Sequence, residues 1–150
     1  MFKPKHVYIE KEALDYTLGK ELKKQFEDMQ IPVDILESNR VNFLRGKSVQ
    51  EKYEIGKRVL VIGVRRTLEF QSCKPSAHYQ LPLVTGCIGK CEYCYLNTNL
   101  KDKPFTRIYV NLDDILKKAK RYTQTGKFKP TIFEGSATSD PVPVEPYTQA

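Results

Sequence analysis

The run of residues 58–64 constrains the fold more than any other part of the sequence. It reads Arg-Val-Leu-Val-Ile-Gly-Val, a short and continuously apolar stretch rich in β-branched side chains. Such a stretch is typical of a strand buried on both faces of a sheet. The Gly56-Lys57 pair before it lacks the upstream glycine and the following Ser or Thr of a phosphate-binding loop. No nucleotide motif is therefore predicted there.

Helix and strand patterns follow one another along the rest of the chain. Helices are predicted at residues 10–29, at residues 48–57 and at residues 112–125, where Asn111 is the predicted N-cap. The short segments rich in β-branched and aromatic side chains are predicted as strands, and they are Val33–Leu36 and residues 79–84, 107–110 and 131–134.

This order of elements predicts an α/β fold, with its chemistry at the carboxyl ends of strands. We expect an N-terminal α/β region over residues 1–78, and over residues 79–150 the first strands of a partial (β/α) TIM-like barrel. The tail with Pro141, Pro143 and Pro146 is predicted to hold no further helix. A (β/α) barrel needs on the order of 200 residues or more, so the remainder of the barrel is expected to be missing.

Composition excludes several classes of protein. Hydrophobic residues make up 40% of the chain and aromatic residues 11%, which is enough for a core and argues against a disordered or collagen-like chain. No apolar stretch is long enough for a membrane span, and the first residues lack the apolar core of a signal peptide. We therefore expect a cytoplasmic protein that does not contact the membrane.

The positive charge is unevenly distributed. The chain carries a net charge of +7, and residues 95–130 hold nine basic residues against three acidic ones. A basic patch at this place favours a polyanionic substrate such as nucleic acid, although a solvated, solubilising surface explains the charge equally well.

Three cysteines follow the predicted strand at 79–84. Cys87, Cys91 and Cys94 have the spacing C-x3-C-x2-C, and Gly86 and Gly89 allow the turns that a metal-binding loop needs. Three thiolates suit soft metals, meaning an iron–sulfur cluster or zinc. A cubane cluster usually takes four cysteines, so a local set of three leaves one iron open to an exogenous molecule.

Other readings of the cysteines remain open at this point. A structural zinc site could recruit His78 as a fourth ligand, although such sites usually pair two short C-x2-C hooks. The three thiols could also be unliganded core residues, although their glycine and lysine neighbours argue against a core. Cys73 could be a further cluster ligand, but its separation and its Lys-Pro context favour an ordinary free thiol.

The motif around the cysteines resembles the C-x3-C-x-aromatic-C signature of the radical S-adenosylmethionine enzymes, with Tyr93 as the aromatic residue. Segments 73–78, 93–96 and 133–140 further resemble the spore photoproduct lyases, which reverse an ultraviolet-induced thymine–thymine adduct in DNA. The resemblance implies a 4Fe-4S cluster on Cys87, Cys91 and Cys94, and S-adenosylmethionine bound at the open iron. It also implies a 5'-deoxyadenosyl radical that attacks the lesion, and a reducing electron donor.

The resemblance assigns roles to four further positions. Tyr93 would line the adenine side of the cofactor, and Ser139 would contact its methionine end. Tyr95 would lie on the path that returns hydrogen, although packing over the cluster is an equal alternative. The family's hydrogen-donating cysteine matches Ala137, whose methyl group cannot replace an S–H donor. We therefore expect impaired turnover, with a relocated donor such as Cys73 as a less favoured possibility.

The expected partner is DNA that carries the thymine–thymine photolesion, and the expected location is the cytoplasm or spore core of a spore-forming bacterium. Two other functions stay open. Another radical S-adenosylmethionine enzyme would share the cysteine motif but act on a different substrate. A non-catalytic, zinc-stabilised nucleic-acid-binding module would explain the cysteines and the basic segment without redox chemistry.

Overall fold

The computed structural model describes residues 2–100 and 103–149. The strands are β1 (His6–Glu10), β2 (Val33–Leu36), β3 (Val59–Gly63), β4 (Tyr79–Leu81), β5 (Val84–Thr85), β6 (Thr106–Tyr109) and β7 (Phe133–Gly135). The helices are α1 (Thr17–Asp28), α2 (Val49–Gly56), α3 (Leu96–Asn99), α4 (Leu112–Thr125) and α5 (Glu145–Thr148), with 3-10 turns at Lys11–Asp15 and Val142–Val144.

A five-stranded sheet with the order β2-β1-β3-β6-β5 forms the centre of the fold. Its first four strands are parallel, and β5 is antiparallel to β6. All five residues of β3 are buried, as the apolar run at residues 58–64 predicts. The α/β fold class predicted from the sequence is confirmed.

Strands from both predicted regions share this sheet. The pairing of β3 with β6, with Ile62 opposite Ile108, joins chain segments on either side of residue 78. Strands β4 and β7 form a separate parallel pair. A barrel would begin at that pair, and both the boundary at residue 78 and the barrel stay predictions.

The predicted helix at residues 10–29 begins too early. Glu10 is the last residue of β1, a strand that was not predicted and in which Val7 and Ile9 are fully buried between β2 and β3. A 3-10 turn follows at Lys11–Asp15, and α1 begins only at Thr17. Pairing with β2 holds Glu10 in the sheet, and the 3-10 turn connects the strand to the helix.

The predicted strand at residues 79–84 is divided in two. Strand β4 pairs with β7, whereas β5 pairs with β6. Pro82 lies between the two strands and has no N–H to donate to a sheet, which explains the break. The division directs the chain from the small sheet to the edge of the large one, immediately before the cysteines.

The starts of α2 and α4 are held differently. Ser48 caps α2 in a capping box, because its hydroxyl accepts from the N–H of Glu51 and the Glu51 carboxylate accepts from the N–H of Ser48. Asn111 precedes α4 but its side chain does not cap that helix. Its amide instead accepts from the N–H of Arg65 at 2.8 Å and donates to the Arg65 carbonyl at 3.0 Å. Asn111 therefore ties the start of α4 to the segment after β3.

The proline-containing tail is helical, which corrects the prediction of a tail without helix. A 3-10 turn at Val142–Val144 leads into the single turn of α5. Tyr147 is fully buried, packs 4.9 Å from the ring of Phe26 and donates a hydrogen bond to the carbonyl of Phe2. Burial of aromatic surface therefore anchors this segment on the core. Within the described residues, no helix has the length and apolar character needed to cross a membrane.

Candidate functional site

The cysteine loop leaves β5 at a position that only glycine can occupy. Gly86 has a φ of 75°, and a Cβ added there would collide with the carbonyl oxygen of Phe105. A side chain would be strained by both the dihedral angle and the contact. The loop therefore starts from a point fixed against the beginning of β6.

Three thiols lie on this loop. Cys87 and Cys94 are half-buried, and Cys91 is exposed. The sulfur of Cys87 accepts a hydrogen bond from the N–H of Gly89 at 3.2 Å. An added Cβ on Gly89 would lie 3.3 Å from the sulfur of Cys87 and 3.7 Å from that of Cys91. The two sulfurs therefore flank the glycine, whose missing side chain leaves room between them.

The donor set fits the predicted cluster in its chemistry. Three thiols on one flexible, glycine-containing loop are the soft ligands that iron–sulfur clusters and zinc prefer. In the conformation seen for residues 2–100 and 103–149, no group of three or more His, Cys, Asp or Glu side chains is gathered closely enough to hold a metal ion. The assignment of Cys87, Cys91 and Cys94 as ligands stays a prediction.

Lys57 lies directly behind the cysteine loop. The residue is only 4% exposed, and its Nζ donates a hydrogen bond to the carbonyl oxygen of Cys87 at 2.6 Å. Burial lowers the pKa of Lys57, and the charges of Cys87, Cys94 and Cys91 raise it. Sequence reasoning considered this residue only as part of a phosphate-binding motif. The signal that could have identified it is a lysine at the end of a helix and directly before a fully buried strand.

The two tyrosines of the motif differ in their surroundings. Tyr93 is 92% exposed, so no neighbouring side chain fixes its ring. Tyr95 precedes α3, and its hydroxyl donates to the carbonyl oxygen of Ala137 at 3.2 Å. The structure therefore brings Tyr95 and Ala137 together, and the cofactor and hydrogen-transfer roles of both tyrosines stay predictions.

The turn after β7 is bonded to β5. Ser136 has a φ of 61° and is 3% exposed, and its hydroxyl accepts from the N–H of Val84 at 2.9 Å. The hydroxyl of Ser139 donates to the carbonyl oxygen of Val84 at 3.4 Å and to the carbonyl oxygen of Ser136 at 3.3 Å. These bonds place the turn with Ala137 next to the strand that leads into the cysteine loop. Sequence reasoning missed Ser136, and the contact of Ser139 with the cofactor stays a prediction.

Cys73 contacts β7, the strand that precedes Ala137. Its thiol donates to the carboxylate of Glu134, on β7, with a sulfur–oxygen distance of 2.7 Å, and the hydroxyl of Ser76 donates to the same oxygen at 2.7 Å. The hydrogen bond to Glu134 and partial desolvation raise the pKa of Cys73. The bonds from Cys73 and Ser76 lower the pKa of Glu134. A thiol in these surroundings keeps its proton at neutral pH.

His78, the ligand considered for a zinc site, makes packing contacts. Its Nδ1 accepts from the N–H of Ile132 at 2.9 Å, and its ring stacks on Phe128 with the centroids 3.9 Å apart. One of its two ring nitrogens is therefore engaged with the backbone.

A cavity of about 440 Å³ opens beside the cysteine loop, next to Thr85 and Gly86. Its walls include Leu44 and Phe105, and its basic lining residues are Arg45, Lys52, Lys103 and Arg107. Two of these, Lys103 and Arg107, belong to the basic segment that the sequence shows. Positive charge next to the loop favours an anionic group at this place.

Comparison with known proteins agrees with this arrangement. The family model described as spore photoproduct lyase matches residues 2–150. A spore photoproduct lyase of Clostridium acetobutylicum is 51% identical over 146 residues, which are 97% of this chain and 44% of that protein. A spore photoproduct lyase of Bacillus subtilis strain 168 is 46% identical over 148 residues, which are 98% of this chain and 43% of that protein.

Solved structures of spore photoproduct lyases share the fold. One, complexed with dinucleoside spore photoproduct, superimposes with a TM-score of 0.92 at 48% identity, over 99% of this chain and 44% of that chain. A doubly substituted variant with bound AdoMet and dinucleoside spore photoproduct superimposes with a TM-score of 0.90 at 50% identity. The chain thus spans less than half the length of the relatives that it matches. The resemblance of segments 73–78, 93–96 and 133–140 to the spore photoproduct lyases is confirmed, and this chain belongs to the spore photoproduct lyase family.

Proposed function

We propose that this chain is the N-terminal part of a DNA-repair lyase that converts the spore photoproduct, 5-thyminyl-5,6-dihydrothymine, back to two thymines. The observation that carries the proposal is the junction of the cysteine loop with the turn after β7, through Tyr95 and Ala137. That junction brings the predicted cofactor ligands and the predicted hydrogen-donor position to one side of the fold. The lesion and AdoMet bound by solved relatives support the same substrate and cofactor.

In this proposal Cys87, Cys91 and Cys94 would hold a 4Fe-4S cluster. Such a cluster, with S-adenosylmethionine bound and an electron from a reducing partner, would supply the 5'-deoxyadenosyl radical chemistry. The chain's own residues position this chemistry. Gly86 fixes the start of the loop against β6, and Ser136 fixes the facing turn against β5.

Tyr93 and Ser139 complete the proposed cofactor site. Tyr93 follows Cys91 within the motif, and its backbone would line the adenine side of the cofactor. Ser139 already donates to the carbonyl oxygen of Val84, in β5, and to that of Ser136, in its own turn. Its hydroxyl would have to exchange one of these bonds to contact the methionine end of the cofactor.

Ala137 removes the hydrogen donor that the family resemblance places at this position. A methyl C–H bond is too strong to replace a thiol, so we propose that the return of hydrogen to the thymine radical is impaired. Cys73 is the thiol that contacts β7, the strand that leads to Ala137, and Glu134 keeps it protonated. Cys73 is therefore the candidate for a relocated donor. Tyr95, whose hydroxyl lies next to the carbonyl oxygen of Ala137, would carry hydrogen on the return path.

The substrate would reach the site as DNA with the lesion turned out of the base stack, because the reacting carbon is shielded inside a duplex. The basic residues beside the cysteine loop offer contacts to its phosphates. The names of the relatives connect this activity with spores. We therefore place the protein in the cytoplasm or spore core.

The test uses the full-length protein, reconstituted with iron and sulfide under anaerobic conditions and supplied with dithionite, S-adenosylmethionine and dinucleoside spore photoproduct. We expect a brown protein, 5'-deoxyadenosine, and thymine that depends on the lesion. A brown protein that forms 5'-deoxyadenosine but leaves the lesion intact would indicate a radical enzyme with another substrate. A colourless protein with stoichiometric zinc would indicate the nucleic-acid-binding module.

A further inference from the structure

Lys57 is a buried cation in a rigid position. It is the C-terminal cap of α2, and its backbone N–H donates to the carbonyl oxygens of Ile55 and Tyr53. The next residues enter β3, which is buried along its whole length. The ammonium group lies 5.2 Å from the centroid of the Tyr53 ring. The helix before Lys57 and the strand after it fix its backbone, which restricts the directions that its side chain can take.

The side chain points at the cysteine loop. Its Nζ donates to the carbonyl oxygen of Cys87 at 2.6 Å, the bond that fixes the first cysteine of the motif. A hydrogen bond from a charged donor to a buried carbonyl is stronger than one between neutral groups. Lys57 therefore restrains the loop at the point where the first sulfur leaves it.

The charge of Lys57 is not balanced by a carboxylate. Among residues 2–100 and 103–149, no carboxylate forms an ion pair with it. Its ammonium group instead lies against the cysteine loop, 2.6 Å from the carbonyl oxygen of Cys87. A buried cation without a counter-ion is costly, so this arrangement favours a negatively charged group held by the loop.

Lys90, on the loop itself, provides the contrast. Its ammonium pairs with the carboxylate of Glu54 at 2.7 Å, and its side chain is 45% exposed. That charge is neutralised by a neighbour and screened by water. Two lysines thus lie near the same three cysteines, and only Lys57 is buried without a carboxylate.

We infer that Lys57 is a positioning residue that holds Cys87 by its carbonyl and stabilises negative charge on the three sulfurs when they carry a cluster. The inference rests on the proposed function. A fixed positive charge stabilises the reduced form of a cluster, which carries one more electron, relative to the oxidised form. Lys57 therefore makes the one-electron reduction of the proposed cluster easier, whichever external reductant supplies the electron.

The test compares the full-length protein with its Lys57→Met, Lys57→Gln and Lys57→Arg variants after anaerobic reconstitution. The readouts are iron per chain and the midpoint potential from a dye-mediated reductive titration. For Lys57→Met we expect a more negative potential, with a roughly tenfold lower ratio of reduced to oxidised cluster at a given potential, or ~59 mV for one electron. Lys57→Arg should retain most of the wild-type potential because it keeps the charge.

The matched control is Lys90→Met, which removes the same charge from an exposed and already paired position. It should shift the potential by less than Lys57→Met. If Lys57→Met does not yield folded protein, Lys57→Gln gives the same comparison with a polar side chain. An unchanged potential in the charge-removing variant, at any iron content, overturns the role of Lys57. A wild-type protein that binds no iron would instead overturn the proposed function itself.

Discussion

The hydroxyl of Tyr95 donates a hydrogen bond to the carbonyl oxygen of Ala137 at 3.2 Å. Tyr95 directly follows the cysteine motif, and Ala137 lies in the turn that leaves β7. Together with the bond between Ser136 and the N–H of Val84, this contact places the two segments next to each other. The predicted cofactor ligands and the predicted donor position therefore belong to one site.

Replacing Ala137 with cysteine restores an S–H group at the family's donor position. We expect Ala137→Cys in the full-length protein to raise the rate of thymine release roughly tenfold, which corresponds to a barrier lower by about 1.36 kcal/mol. Chromatographic assay of thymine from dinucleoside spore photoproduct measures the change. Ala137→Ser is the control, because it adds a polar atom without a weak S–H bond. Equal rates for the cysteine and alanine proteins would show that the donor position is misplaced.

Removing the thiol of Cys73 tests the relocated donor. Cys73→Ser replaces the thiol with a hydroxyl that can still donate to Glu134, but it removes the S–H bond. We therefore expect thymine release to fall while 5'-deoxyadenosine formation continues. Adding Ala137→Cys to this variant should restore the release. A Cys73→Ser protein that releases thymine at the wild-type rate would remove Cys73 from the mechanism.

The pH dependence of Cys73 reactivity tests its bond to Glu134. The pKa of Cys73 is raised from 9.0, first by the hydrogen bond to Glu134, so the thiol stays protonated to higher pH than an ordinary cysteine. We expect Glu134→Gln to move the midpoint of iodoacetamide alkylation to lower pH and to speed the reaction at pH values just below the midpoint. Because the other cysteines also react, the modified residue is identified by mass spectrometry.

Ser76→Ala supplies the opposite change for that experiment. The bond from Ser76 lowers the pKa of Cys73, so its loss should move the alkylation midpoint upward. Midpoints that move in the same direction for both variants would contradict the arrangement of the three groups.

The turn at Gly86 is predicted to tolerate no side chain. Gly86→Ala would combine a positive φ with a collision against the carbonyl of Phe105, and we expect it to lower the free energy of unfolding by about 1 kcal/mol or more. Gly135→Ala is the matched control, since no atom lies within 4 Å of an added Cβ there and its φ is not positive. Denaturant unfolding of the two variants measures the difference. Equal losses of stability would mean that Gly86 does not fix the start of the loop.

Local patterns in the sequence were enough for the parts of the fold that depend on local forces. The buried strand β3 and the helix that follows Ser48 were both predicted, because a continuous apolar run and an acidic residue in the first turn leave clear signatures. Strand β1 was not predicted, because only its pairing with β2 and β3 selects the strand. Such pairing is a property of the sheet and not of the segment.

In the candidate site, too, the features set by neighbouring residues were predicted and those set by long-range contacts were not. The cysteine motif is visible because its ligands are neighbours in sequence, whereas Tyr95 and Ala137 meet across 42 positions. Lys57 lies 30 positions before Cys87, and its place between a helix and a buried strand does not show which part of the chain it contacts. Long-range contacts of this kind depend on where the sheet brings the chain, so they could be seen only in the structure.

The central claim is that the three cysteines hold a 4Fe-4S cluster whose open iron binds S-adenosylmethionine. The most direct measurement is electron paramagnetic resonance of the full-length protein, reconstituted and reduced without oxygen, before and after S-adenosylmethionine is added. We predict the signal of a reduced 4Fe-4S cluster that changes in shape and g-values when the cofactor binds. A cluster signal that the cofactor leaves unaltered, or a protein that takes up zinc and shows no signal, would contradict this account.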